Sequence, residues 1–239
     1  MDVEAPLDIP YTVRVSARAK RVNLHVRPES GLEVVIPRRF ARRHIPALLV
    51  AHRDWITQAL ARCEAQQAPY QDAWPPTSLD LVALDRTIAL VYRPDASASQ
   101  VRWQLVGDQL TLSGATGQRE AVVNAIAAAL KALAKDVLPP LLARLAEQHR
   151  LQYARVAIRG QKTRWGSCSS SGTISLNYKL LFLPGELVRY VLLHELAHTR
   201  HLDHSAAYWA FLQQLEPAAK VLDRQLDDVG GQVPWWLRL

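Results

Sequence analysis

The chain has 239 residues, of which 49% are apolar and 21% charged, with 14 prolines and 10 glycines. These values exclude a disordered or fibrous chain and predict a globular protein of enzyme size, built as one large domain or two small lobes. The net charge of +7 is concentrated, because nine basic residues and only two glutamates fall between Arg14 and Arg43.

Cysteine content and hydropathy indicate the cellular compartment of the protein. The two cysteines, Cys63 and Cys168, are far apart and form no CxxC pair, which indicates neither a disulfide framework nor a cysteine zinc site. Residues 1–6 are acidic and lack the apolar region of a secretory signal, and no stretch reaches the roughly 18 uncharged apolar residues of a membrane span. We therefore expect a cytoplasmic protein with no membrane partner.

The first third of the chain predicts strands followed by a helix. Alternating apolar residues at 11–15, 22–26 and 32–36 predict a β-meander. After Pro37 the spacing becomes helical and predicts one amphipathic helix. Its apolar face would comprise Ile45, Leu48, Leu49, His52, Trp55, Ile56 and Leu60.

The rest of the chain adds strands and then mostly helices. Residues 69–78 predict a connector, 79–92 and 101–112 further strands, and 118–149 a long helix that Pro139-Pro140 could kink. A strand at 153–158, a hairpin at 165–177, a helix beginning near Pro184 and another capped by Ser205 complete the pattern. We therefore predict an α+β fold with a β-rich N-terminal lobe at 1–116, containing one helix, and a catalytic core at 117–239.

Four of the eight histidines lie between His194 and His204. On a helix, His194 and His198 project from the same face, as two imidazoles that share one ion must. Glu195 is offset by one position, where its carboxylate can reach water beside the ion without ligating it. Zinc held by neutral ligands acts as a Lewis acid, and a nearby carboxylate then transfers the proton of the attacking water. The H-E-x-x-H string therefore predicts a hydrolytic zinc site.

A catalytic zinc needs three protein ligands and one open position. His204 follows His198 by six residues, a spacing at which a helix that ends and turns back can return a side chain to the metal, so it is the predicted third ligand. His201 is the other candidate for the third ligand. If it does not bind the metal, it lies beside the ligands or on the surface. Asp203 either orients a ligand imidazole or is an ordinary turn residue.

The ligand spacing resembles that of the metzincins, but these need a downstream methionine and the only methionine here is Met1. Several further strings are informative. They are Arg164-Trp165-Gly166-Ser167-Cys168-Ser169, Ile174-Ser175-Leu176-Asn177, Pro184, Tyr190-Val191, the H-E-x-x-H string, His204-Ser205 and Tyr208-Trp209, with Pro37-Arg38-Arg39 and His52-Arg53-Asp54-Trp55-Ile56 near the N-terminus. In these strings the chain closely resembles the YgjP-like family of predicted zinc metallopeptidases, which is distantly related to the SprT and WLM metallopeptidases.

This resemblance implies a zincin-like α+β core that acts on peptide or protein substrates, with His204 as third ligand. It also implies that the strand ending at Asn177 lies beside the cleft, where zincins bind an extended substrate by strand addition. Arg164, Trp165 and Asn177 are then candidate substrate-binding residues. For the first two the alternative is a surface arginine and a buried tryptophan. Tyr208 is either a core residue or a donor to the transition state.

Two other functions remain open on the sequence alone. The end of the motif, Asp203-His204, is similar to that of zinc endoribonucleases of the YbeY type, although that family lacks the glutamate. The second of these functions is a nucleic-acid-binding module with a non-catalytic zinc. The basic block from Arg14 to Arg43 keeps nucleic acid as a possible partner of any of these, although a solvated face is the simpler interpretation.

Overall fold

The computed structural model describes residues 9–17, 19–27, 31–67 and 74–237. Packing divides the chain into two compact units, Met1–Trp74 and Pro75–Leu239. The predicted boundary between residues 116 and 117 falls inside the second unit, between a strand and the long helix that packs against its sheet. No helix of the described residues is long and apolar enough to cross a membrane.

In the first unit, three strands form one sheet. They are β1 (Tyr11–Ser16), β2 (Asn23–Arg27) and β3 (Gly31–Pro37). The strand order is β1-β3-β2, with β1 parallel and β2 antiparallel to β3. The three predicted strands are confirmed, but the β-meander is wrong, because β3 lies between β1 and β2. Alternation sets which side chains face the core, and it carries no information on strand order.

Two helices follow where one was predicted, α1 (Ile45–Ala51) and α2 (Arg53–Gln67). The helix is interrupted at His52, where φ is −113° and ψ is 18°. Ile45, Leu49 and Ile56 are buried with Leu32, Val34 and Ile36 of β3. Trp55, which was assigned to the same apolar face, is 44% exposed. Ile45, Leu49, Ile56 and Leu60 still form one apolar stripe across the interruption, whereas His52 and Trp55 are exposed.

The second unit begins with a four-stranded sheet, which contains β4 (Ser78–Leu81), β5 (Arg86–Pro94), β6 (Val101–Val106) and β7 (Gln109–Gly114). Its order is β4-β5-β7-β6. The helix α3 (Arg119–Gln148) packs against β6 and β7 and continues through Pro139 and Pro140. An internal proline costs about 3 kcal/mol. Buried side chains from Val122 to Ala146 hold α3 in place on both sides of the proline pair.

A smaller sheet and three helices complete the second unit. The strands are β8 (Arg155–Arg159), β9 (Gly166–Cys168) and β10 (Thr173–Asn177), and the helices are α4 (Gly185–Ala197), α5 (Ala206–Leu215) and α6 (Ala219–Asp228). The predicted hairpin is confirmed as the antiparallel pair β9–β10. The helix α6 was not among the predicted elements. The described residues therefore form an α+β fold, as expected.

The position of the hairpin strands in this sheet corrects one expectation. The order is β8-β10-β9, so β10 is paired on both sides, with β8 in parallel and β9 antiparallel. The strand that ends at Asn177 is β10, and it has no free edge for an added strand. The edge strand that packs against α4 is β9.

Candidate metal centre

The helix α4 carries His194 and His198 at its C-terminal end. Its core-facing side chains are buried from Leu187 to Ala197, which fixes the rotation of the helix and turns both imidazoles to the same side. The Nε2 atoms of His194 and His198 are 3.2 Å apart. His198 is 8% exposed, so the pair lies in a largely enclosed position.

His204 reaches this pair because the chain turns back after α4. Ser205 then caps α5, with its Oγ accepting a hydrogen bond of 3.4 Å from the backbone N–H of Tyr208. The Nε2 atom of His204 lies 3.3 Å from that of His194. One ligand atom from each of the three histidines lies within 4.8 Å of the other two.

His201 lies outside this cluster, and its ring packs on Phe211 with the centroids 5.5 Å apart. Its backbone carbonyl is 2.9 Å from Nδ1 of His198. Asp203 accepts a hydrogen bond from the backbone N–H of Ser205, at 3.2 Å, which favours its interpretation as a turn residue.

Electrostatics favour the neutral form of two of the three imidazoles, those of His194 and His198. Burial, together with the proximity of His198 and His204, lowers the pKa of His194 to about 3. Burial also lowers the pKa of His198. Neutral imidazoles have free lone pairs, which is the form that binds zinc and similar divalent ions.

Glu195 is a second feature that fits a cation here. The residue is 4% exposed, and its Oε2 atom has no hydrogen-bond partner among the described residues. Burial raises the pKa of Glu195 to about 8, while the charge of Arg164 acts in the opposite direction. A cation held by the adjacent histidines would stabilise the charged carboxylate. Three convergent imidazole nitrogens, beside a buried carboxyl group with one oxygen unpartnered among the described residues, are therefore suited to a hydrolytic metal.

The strand β9 lies directly against Glu195. A Cβ atom added at Gly166 would be 2.5 Å from Oε1 and 2.8 Å from Cγ of Glu195. Only a glycine lets the strand approach the carboxyl group this closely. Cys168, two residues further along the same strand face, has its pKa raised by burial and then by the charge of Glu195.

Three of the candidate substrate-binding residues belong to the loop before β9 and to the end of β10. Asn177 is 2% exposed, and its Nδ2 donates to the carbonyls of Gln161 at 2.8 Å and Arg164 at 2.9 Å. It therefore fixes the loop. Arg164 is exposed and electrostatically coupled to Glu195, and Trp165 is half-buried.

Tyr208 forms an aromatic support behind the histidines. It is fully buried and stacks on His198, with centroids 4.6 Å apart and planes inclined by 23°. Its ring also meets those of His194 and His204 edge-on, and its hydroxyl donates to the carbonyl of His194 at 3.4 Å. This placement favours core packing over a role as donor to a substrate.

Sequence reasoning missed two residues behind the histidines, Tyr190 and Asp223. The Tyr190 hydroxyl lies 3.5 Å from Nδ1 of His194 and donates to Oδ1 of Asp223 at 2.8 Å. Tyr190 precedes His194 by four residues, so helical spacing could have found it. Nothing in the sequence links Asp223 to the motif.

Comparisons with known proteins identify related metallopeptidases. Residues 20–229 match the family described as YgjP-like, metallopeptidase domain. The similar solved structures include two that are titled as crystal structures of metallopeptidase zymogens. Abylysin of Pyrococcus abyssi is 30% identical, with 39% of this chain and 95% of that chain covered and a TM-score of 0.35. Jannalysin of Methanocaldococcus jannaschii is 17% identical, with 38% and 94% covered and a TM-score of 0.34.

A comparison with curated proteins gave no match. The family match spans most of the chain, from within the first unit to α6 and just beyond. It includes all three clustered histidines and Glu195. The chain therefore belongs to the YgjP-like family of metal-dependent peptidases.

Proposed function

We propose that the protein is a zinc metallopeptidase in which His194, His198 and His204 hold the metal and Glu195 transfers protons. The observation that carries this proposal is the buried carboxyl group of Glu195, whose Oε2 atom has no hydrogen-bond partner among the described residues, beside three convergent imidazoles. Bound zinc supplies Lewis acidity to the carbonyl and to the attacking water.

Glu195 has the role of general base and then general acid. Its carboxylate accepts a proton from the water whose oxygen bonds to the peptide carbonyl carbon. It then delivers that proton to the departing amine nitrogen as the C–N bond breaks. Burial raises the pKa of Glu195, and a cation held by the three histidines would lower it again by stabilising the carboxylate, which is the form that accepts the proton. Gly166 holds the edge strand close enough to limit where the carboxyl group can lie.

The edge strand β9 is the proposed platform for an extended substrate. The backbone N–H of Asn177 donates to the carbonyl of Trp165, and the backbone N–H of Ser169 donates to the carbonyl of Thr173. The Ser167–Ser175 pair lies between these two pairs, in the same register. In an antiparallel pair the intervening residues point their N–H and C=O groups outward. Gly166 and Cys168 therefore present backbone groups to the free edge, beside Glu195. A peptide added here pairs with the main chain and depends little on side-chain identity.

The exposed arginines near the N-terminus support an association with nucleic acid. Arg38, Arg39, Arg42 and Arg43 are all exposed and fall within the turn after β3 and the 3₁₀ segment that follows it. Arg14 is less available, since its Nε is 2.8 Å from a carboxylate oxygen of Glu33. Arg18 and the side chain of Arg27 lie outside the described residues. The proposed polyanion site is therefore the four-arginine cluster at 38–43.

The other functions have weaker support. An endoribonuclease of the YbeY type would lack a residue equivalent to Glu195, and the matched family is one of metallopeptidases. A purely structural zinc is typically held by four protein ligands, whereas three are grouped among the described residues.

A cytoplasmic location is proposed on the low cysteine content and on Cys168, which is a free thiol.

A metal analysis combined with a proteolysis screen tests the proposal. Purified protein should contain one equivalent of zinc and cleave unstructured peptides, with RNA of similar length left intact. Glu195→Gln should keep the zinc, because the imidazoles are untouched, and lose at least about 100-fold in kcat because the proton carrier is gone. Cleavage of RNA alone, or full peptidase activity in Glu195→Gln, would contradict the proposal.

A further inference from the structure

The two ring nitrogens of His194 face different surroundings. Its Nε2 faces the Nε2 atoms of His198 and His204, at 3.2 and 3.3 Å. Its Nδ1 faces the other way, towards the hydroxyl of Tyr190 at 3.5 Å. A ligand histidine commonly has its second nitrogen hydrogen-bonded, which fixes both the tautomer and the orientation of the ring.

Tyr190 is itself held by a carboxylate from a different helix. Its hydroxyl donates to Oδ1 of Asp223 at 2.8 Å, across 33 residues of sequence. The Tyr190 ring is fully buried and packs edge-on against that of His194, with centroids 5.9 Å apart. Because its proton is directed to Asp223, the hydroxyl oxygen is oriented as an acceptor towards Nδ1.

We infer that Tyr190 and Asp223 are positioning residues that fix His194 as a ligand through Nε2. This inference rests on the proposed metal function of the three histidines. The hydrogen-bond order runs from Nδ1–H of His194 to the Tyr190 oxygen, and from the Tyr190 hydroxyl to the Asp223 carboxylate. This order places the proton on Nδ1 and leaves the lone pair of Nε2 free for the metal.

His198 obtains the same orientation in a different way. Its Nδ1 is 2.9 Å from the backbone carbonyl of His201, three residues away. That contact is supplied by the turn that ends α4 and forms whenever the turn forms. His194 depends instead on the docking of α6 against α4. The metal centre is therefore completed by a helix outside the H-E-x-x-H string.

Three variants and a matched control test this assignment. Tyr190→Phe removes the hydroxyl, Asp223→Asn keeps the shape of the partner but removes its charge, and the double variant removes both. The control is Tyr92→Phe, on β5. It deletes a hydroxyl that donates to the backbone carbonyl of Pro76 at 2.7 Å. Zinc dissociation constants are measured by competition with a chromophoric chelator, and the visible spectrum of the cobalt-substituted protein is recorded for each.

Tyr190→Phe and Asp223→Asn should each weaken zinc binding by about 10- to 100-fold. The double variant should be no weaker than the worse single variant, because the two residues act in series. The cobalt spectrum should change in all three variants, while Tyr92→Phe should keep both the wild-type affinity and the wild-type spectrum.

A merely structural role predicts a different pattern. Both single variants would then lower the melting temperature of the metal-free protein and leave the zinc affinity and the cobalt spectrum unchanged, which would overturn the inference. An equal loss of affinity in Tyr92→Phe would also overturn it. A wild-type protein that binds no zinc would instead overturn the proposed function itself.

Discussion

At the scale of single residues, His201 and His204 are the two candidates for the third metal ligand, and only their contacts in the structure distinguish them. His204 places its Nε2 near that of His194. His201 contributes a backbone carbonyl to His198 and a ring to Phe211. We expect His204→Ala to lower zinc affinity by more than about 100-fold, beyond the loss typical of a residue that only supports a ligand.

His201→Ala is the matched control for this prediction. It keeps the carbonyl that contacts His198, so zinc affinity should stay within about threefold of wild type, inside the range of context effects on a residue that is not a ligand. Zinc content measured after equilibration at limiting free metal checks both variants. A loss confined to the His201 variant would show that the ligand assignment is wrong.

Gly166 makes a residue-scale prediction about steric fit. A Cβ at this position would lie 2.5 Å from Oε1 of Glu195, which is buried and has little room to move. Gly166→Ala should therefore displace the carboxyl group, reduce kcat by at least about tenfold, and destabilise the fold by about 1–3 kcal/mol, as overpacking does. Zinc content should remain at one equivalent, because the three atoms nearest to the added Cβ all belong to Glu195 and none to an imidazole.

Gly117→Ala provides the control, since a Cβ there meets nothing within 4 Å. It should match wild type in activity and should not destabilise the fold. Activity assays, metal analysis and chemical denaturation distinguish the two variants. If Gly166→Ala is as active as wild type, Glu195 does not depend on the close approach of β9.

At the scale of elements, the free edge of β9 predicts how a substrate binds. Cys168 points its backbone N–H away from β10, where a proline is tolerated because no ladder hydrogen bond within the protein is lost. Cys168→Pro should remove one hydrogen bond to an added strand. This should raise KM or lower kcat/KM by about tenfold for peptides, in line with a contribution of about 1 kcal/mol.

Cys168→Ser keeps the backbone N–H and is the matched variant, with kcat/KM expected close to wild type. Steady-state kinetics on the same peptide compare the two. An equal loss in both variants would locate the effect in the thiol and would argue against strand addition at β9.

Several elements could be predicted because their signals are local. The strands β1 to β3, the hairpin of β9 and β10, and the capping of α5 by Ser205 follow from alternation, turn residues and an N-cap side chain. Strand order in the first unit could not be predicted, because parallel pairing of β1 with β3 joins segments separated by another strand. The interruption at His52 was also missed, since the helical spacing continues across it.

At the scale of the whole molecule, charge makes the remaining prediction. The exposed cluster Arg38, Arg39, Arg42 and Arg43 should bind nucleic acid with little dependence on sequence and a steep dependence on salt, because phosphate contacts release counterions. Replacing all four with serine should reduce the slope of log affinity against log salt by about one for each lost phosphate contact. Zinc content should not change.

Fluorescence anisotropy with labelled single- and double-stranded oligonucleotides at several salt concentrations measures this slope. Arg14→Ser is an informative control, because Arg14 is already paired with Glu33 and its loss should change the slope little. If the wild-type protein does not bind at low salt, the cluster is a solvated face.

The sequence by itself determined the metal chemistry that we propose for this protein, because the candidate ligands follow from local spacing. His194, Glu195 and His198 lie within one turn of a helix, and the return of His204 needs only a short turn, so residue type and distance along the chain were enough to predict that the three histidines cluster. Tertiary structure decided the surroundings of that chemistry. The approach of Gly166 to Glu195, the free edge of β9 and the contact from Asp223 through Tyr190 depend on segments that are distant in sequence. Packing brings these segments together, and no periodicity within any one of them records its neighbours.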